Sequence, residues 1–138
     1  MIDPAFFSRW APRLLSILRI VAGLLYLEHG TAKLLHYPYA DYLVLKDPLW
    51  SLSGVAGFFD SIGGTLLILG LFTRPVAFLL SGEMAVAYFL VKAPHGFFPI
   101  LNGGEVCVLY SFLYLYFAVA GGGAWSADRW LWTARPEQ

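Results

Sequence analysis

The sequence predicts an all-α membrane protein: a bundle of four transmembrane helices, both termini cytoplasmic, with a short interfacial helix at the C-terminus. Three observations carry that expectation. Hydrophobic residues make up 59% of the 138-residue chain and charged residues 13%, against about 45–50% and about 25% in soluble domains. So short a chain cannot hide that much apolar surface from water, because small domains have a high surface-to-volume ratio. The apolar residues also gather into four runs, 14–35, 52–71, 75–91 and 105–120, where a span needs roughly 20 residues. Finally, the cations near the run ends are uneven. Arg9, Arg13, Arg74, Arg129 and Arg135 fall on one side, and Lys33, Lys46 and Lys92 on the other, which places the first group in the cytoplasm.

The length fits a single domain over residues 1–138. Nine basic and nine acidic residues cancel, so no global charge points to nucleic acid; the bilayer is the expected partner. A single cysteine, Cys107, excludes an intrachain disulfide and a CxxC pair and reads as a small apolar helix residue. The first run continues well past a signal-peptide core, and Glu28-His29-Gly30 is no cleavage site, so the run is expected to remain as an anchor.

Each connection has its own character. Residues 36–51 carry tyrosines, a tryptophan and two prolines, as suits the headgroup level. In the second run Gly54, Gly57, Gly63, Gly64 and Gly70 offer small faces for close helix packing. Leu71-Phe72-Thr73-Arg74-Pro75 is a tight turn, with Pro75 placed for the first turn of the next helix. The stretch HGFFPILNGGE, residues 95–105, is broken by Gly96, Pro99, Gly103 and Gly104. Asn102 is expected to cap the fourth helix, with Glu105 completing a capping-box arrangement. Irregular backbone near membrane depth lines a cavity or is buried in protein. The stretch is therefore a candidate lid, with Phe97 and Phe98 as its apolar wall and His95 beside them. Trp125, Trp130 and Trp132 with Arg129 and Arg135 predict a helix lying on the membrane surface.

The candidate site comes from charges inside the runs. One such charge costs about 2.5–3.5 kcal/mol at a helix centre, yet every run has at least one: Arg19, Glu28, His29 and Lys33, then Asp60, then Glu83, then Glu105. Alternating helix direction brings Glu28, His29, Lys33, Asp60, Glu83 and Glu105 to one level in the outer half of the bundle. Four acids around one certain base cannot all be ionised cheaply there. Arg19 and Arg74 fall toward the other leaflet, Arg74 as a loop anchor and Arg19 snorkelling. Such a network either pins helices together or lines a functional cavity. Single histidines at 29, 36 and 95 are a poor metal signature. No dinucleotide fingerprint, haem-attachment motif or iron–sulfur cysteine set occurs.

Read together, LRIVAGLLYLEHGTAKL, GGTLLILGLFTRPVA, EMAVAYF and HGFFPILNGGE resemble the DoxX family of small four-span bacterial membrane proteins, over nearly the whole chain and most specifically in the last block. Asp60 departs from the pattern, since the family more often shows glutamate near that position, before the paired glycines. The resemblance implies a multi-pass protein of the bacterial inner membrane and a quinone-linked oxidoreductase component, akin to the membrane subunit of a thiosulfate:quinone oxidoreductase. A quinone needs an apolar slot and groups that pass protons. Glu28, His29, Lys33, Asp60, Glu83 and Glu105 are the candidate catalytic groups, and Phe97, Phe98, His95 and Asn102 the candidate quinone contacts. Electrons would come from a soluble or membrane redox partner or from a small reductant. The wider group also looks to include eukaryotic membrane chaperones for receptor assembly, which implies the alternative of a non-enzymatic subunit or assembly factor.

Overall fold

Helices account for all the regular structure among the described residues of the computed structural model, which are 4–43, 46 and 48–133. Helix α1 runs Pro4–Leu35, α2 Leu52–Leu69 and α3 Thr73–Ala87, the last prolonged by a π-helical turn, Tyr88–Lys92, and a 3₁₀ turn, Ala93–His95. A single-turn helix α4, Pro99–Asn102, precedes α5, Glu105–Ala120, and a short α6, Ala127–Thr133. Arg135 lies outside the described residues. Three helical stretches are long and apolar enough to cross a membrane: Ala5–Leu35, Leu52–Leu69 and Thr73–His95; α5 is a shorter apolar helix. The outward faces are apolar too. Leu24, Phe58, Ile62, Phe78, Val86, Leu109 and Phe112 are all exposed, a surface no soluble monomer of this size tolerates. The protein is a multi-pass membrane protein.

Small residues decide how the helices meet. A Cβ on Gly30 of α1 would strike the backbone of Ser61 in α2, and one on Gly64 would lie 2.9 Å from the carbonyl of Gly23. Without side chains at these points α1 and α2 approach to backbone contact, where dispersion replaces the hydrophobic effect as the driving force. Helices α3 and α5 are joined by a reciprocal serine pair. Ser81 Oγ donates to the Ser111 carbonyl at 2.7 Å and Ser111 Oγ to the Ser81 carbonyl at 3.0 Å. The core between the two pairs is Ala22, Tyr26, Leu67, Ala77, Leu80, Tyr114 and Phe117.

One end of the bundle is closed by charged groups that satisfy helix termini. Gly70 ends α2 in the left-handed conformation (φ 67°), so it is a cap, whereas Gly57 and Gly64 pack on α1, Gly63 packs on α3 and Gly54 packs on Leu49 just before α2. Asp128 of α6 accepts from the backbone N–H groups of Phe72 (2.7 Å) and Thr73 (2.8 Å). It thereby caps α3, which has no side-chain cap of its own. Asp128→Ala is expected to cost about 1 kcal/mol and to speed hydrogen exchange at Phe72 and Thr73; unchanged protection there would mean that α6 does not hold the turn. The tryptophans of this segment, Trp125, Trp130 and Trp132, are exposed.

Arg19 departs from the sequence expectation. It does not snorkel but is fully buried. Its Nε donates to the Gly122 carbonyl at 2.9 Å and its Nη2 to that of Trp125 at 2.6 Å. Its Nη1 serves Leu67 and Ile68, the last carbonyls of α2. The planar fork reaches the last turn of α2 and the loop between α5 and α6, carbonyls that would otherwise be buried without donors. Arg74, in the first turn of α3, treats α5 similarly, donating to the Val119 carbonyl at 2.5 Å.

Candidate functional site

A second polar cluster lies mid-bundle. The Cα–Cβ bond of a helical residue tilts toward the helix N-terminus, so Lys33, near the end of α1, turns back into the bundle. Its stem passes Gly57, where a Cβ would sit 3.3 Å from that of Lys33. The ammonium reaches Asp60 Oδ2 at 2.5 Å. Asp60 is 1% exposed. From α3, Glu83 accepts at Oε2 from the Tyr26 hydroxyl at 2.9 Å, and it interacts electrostatically with Asp60 and Lys33. The remaining oxygens, Asp60 Oδ1 and Glu83 Oε1, are buried without a hydrogen-bond partner. His29 is half-buried and interacts electrostatically with Asp60, Lys33 and Glu28.

Tyrosines roof this cluster. Tyr26 meets Tyr114 edge-on (centroids 5.2 Å apart) and Tyr110 likewise (5.8 Å), while Tyr110 and Tyr114 stack at 5.4 Å. None of the three was singled out from the sequence, where charge was the guide. The available signal was position: Tyr26 shares a face with His29 and Lys33 at helical spacing, and Tyr110 and Tyr114 are four apart. Beside the cluster, an apolar cleft of about 190 Å³ opens between α2 and α3, lined by Phe58, Phe59, Ile62, Leu66, Val76 and Leu79 and floored by Gly63 and Leu80.

The other expected site residues are not drawn in. Glu28 is exposed on α1, and its carbonyl accepts from Thr31 Oγ1. Glu105 is exposed at the start of α5. Phe97 and Phe98 are 68% and 63% exposed and pack edge-to-face on each other, so they wall no cavity. His95 is exposed, its Nδ1 3.0 Å from the Val91 carbonyl.

Asn102 caps nothing in α5, whose N-cap is Gly104 with no side-chain bond. The reason is local. Asn102 ends α4, and Gly103 reverses the chain at φ 66°. Its side chain instead ties the loop, donating to the Gly96 carbonyl (2.6 Å) and accepting from the Gly104 N–H (2.7 Å). It also donates to the Tyr88 hydroxyl, which in turn donates to the Phe97 carbonyl. The polar residues gathered in HGFFPILNGGE thus fold an irregular connection and leave its phenylalanines facing outward.

The model of the DoxX family matches residues 14–93, more than half of the chain. The chain belongs to the DoxX family. The DoxX match takes in Tyr26, His29, Lys33, Asp60 and Glu83 and stops short of HGFFPILNGGE. A Haemophilus influenzae protein described as uncharacterized is 47% identical over 127 residues, covering 88% of this chain and 92% of that protein. No solved structure matches this DoxX protein. Among the described residues, no group of three or more His, Cys, Asp or Glu side chains is placed to hold a metal ion.

Proposed function

We propose that this DoxX protein is a single-domain, four-span component of quinone-linked redox chemistry in the bacterial inner membrane, with both termini cytoplasmic. The observation that carries the reading is the Tyr26–Glu83–Asp60–Lys33 cluster, ionisable groups from three helices buried at mid-bundle. Intramembrane ionisable residues cluster where protons or substrates pass. Helix α5 serves as the fourth crossing. Its 16 residues make about 24 Å, and Tyr114 and Phe117 anchor it in the core. The arginines at 19 and 74 and the α6 tryptophans fit a cytoplasmic end.

Two features fit a quinone. The cleft between α2 and α3 presents phenylalanine rings to a planar head, although at about 190 Å³ it takes a ring and little more, below the roughly 300–1,000 Å³ of ordinary ligand pockets. The buried Asp60–Glu83 pair stands one turn from Gly63 and Leu80 of the cleft floor, and so places acid groups close to a bound ring. A quinone supplies electron transfer coupled to proton uptake. The chain's own part is to seat the ring against Phe58 and Phe59, exclude water with Leu80 and the tyrosines, and hold a proton at Glu83 with Tyr26 as its neighbour. Electrons come from a redox partner or a small reductant.

Ligand extraction and turnover test this directly. Protein purified in mild detergent is expected to carry quinone, and Glu83→Gln to lower quinone-dependent turnover about 100-fold, the usual scale of a lost acid–base group. Full turnover in both Glu83→Gln and His29→Ala, with the protein folded, removes the cluster from the chemistry. A specific observation also favours a second reading. Lys33–Asp60 joins α1 to α2 and Tyr26–Glu83 joins α1 to α3, as staples in a non-enzymatic subunit or assembly factor would. A stoichiometric protein partner with no quinone is the result that reading expects.

A further inference from the structure

Helices α2 and α3 are joined by a tight turn and run antiparallel, and a Cβ on Gly63 would press into the Leu80 side chain. One turn back from Gly63 stands Asp60, and one turn on from Leu80 stands Glu83, so the same register sets the two acids opposite each other. The two interact electrostatically. One oxygen of each is already taken: Asp60 Oδ2 by the Lys33 ammonium and Glu83 Oε2 by the Tyr26 hydroxyl. The other oxygen of each is buried with no donor.

An ionised carboxylate only accepts. Two buried acceptors on interacting carboxylates repel, and neither can satisfy the other. The groups around the pair cannot mend this. From α1 come Tyr26, His29 and Lys33, and from α5 Tyr114, and none of them donates to either free oxygen. Only Lys33 is a permanent cation, and it serves Asp60 Oδ2. We propose that Asp60 and Glu83 bind a single proton between Oδ1 and Oε1, making this pair a proton-storage site at the centre of the bundle. The proton turns one acceptor into a donor, satisfies both orphan oxygens at once, and leaves one negative charge to balance Lys33. This goes beyond the quinone reading, because it holds whichever small molecule enters the cleft, or none.

Infrared spectroscopy of the full chain in phospholipid vesicles at neutral pH tests it. Wild type is expected to show a carboxylic-acid C=O band that shifts in D₂O. Glu83→Gln and Asp60→Asn should each lose it, since either leaves one carboxylate facing Lys33, while the conservative Glu83→Asp keeps it. Lys33→Met should show about twice the intensity, because both acids then stay protonated. Wild type alone suffices if the variants fail to fold: alkaline titration should replace the carboxylic-acid band by a carboxylate band of matching intensity. A wild type with no such band, or a band that survives in both Glu83→Gln and Asp60→Asn, overturns the proposal. So does a band abolished by sodium chloride and not by choline chloride, which would assign the oxygens to a metal cation.

Discussion

Replacing Arg19 with methionine is expected to cost about 3–5 kcal/mol, because several buried carbonyls lose their only charged donor. Methionine fills much of the space but donates nothing, so the carbonyls of Leu67, Ile68, Gly122 and Trp125 lose their donor. Orphaned buried acceptors cost about 1–3 kcal/mol each, reduced where lipid-embedded helices find other partners. Arg19→Lys should recover only part of the loss, since one ammonium cannot span both the end of α2 and the loop after α5. Thermal unfolding in detergent, with size exclusion for folded yield, reads both variants. A methionine variant as stable as wild type would show that this end of the bundle is held by something else.

Lys33→Met has the second largest expected effect, about 3 kcal/mol, because Asp60 loses its buried counter-ion and must take up a proton to stay in the interior. Adding Asp60→Asn should restore stability, the double variant standing closer to wild type than Lys33→Met alone. The non-additive part is the coupling of the two groups. Additive losses would mean that the ammonium and the carboxylate act independently. Because Lys33 is on α1 and Asp60 on α2, their coupling also reports the backbone contact between Gly30, one turn before Lys33, and Ser61, next to Asp60.

Most of the helical plan was readable from the sequence, for a physical reason. Lipid-facing helices are apolar all round, so run length marks them without any periodicity. Residues 105–120 were read as a helix and α5 is Glu105–Ala120. The ends were less legible: α1 starts ten residues before the apolar run and α3 continues to His95 through a π-helical turn, because backbone hydrogen bonds carry a helix on where hydropathy stops. For the site, charge within the spans located Lys33, Asp60 and Glu83. It also drew in Glu28 and Glu105, whose faces point outward, and it misread Arg19. Side-chain direction separates these cases, and run length says nothing about direction. Tyr26 and Tyr114 were hidden because a buried tyrosine looks in sequence like any aromatic core residue. Asn102 was misread because its capping signature was satisfied by the loop it closes and not by the helix that follows.

Solid-state NMR of the full chain in bilayers, with ¹⁵N-lysine and ¹³C-aspartate labels, measures the central contact directly. A short-range correlation between the Lys33 ammonium nitrogen and the Asp60 carboxyl carbon, absent in Lys33→Met, is the expected result for a pair 2.5 Å apart. Failure to observe that correlation in wild type, with the other lysine and aspartate signals present, would contradict a shared interior site.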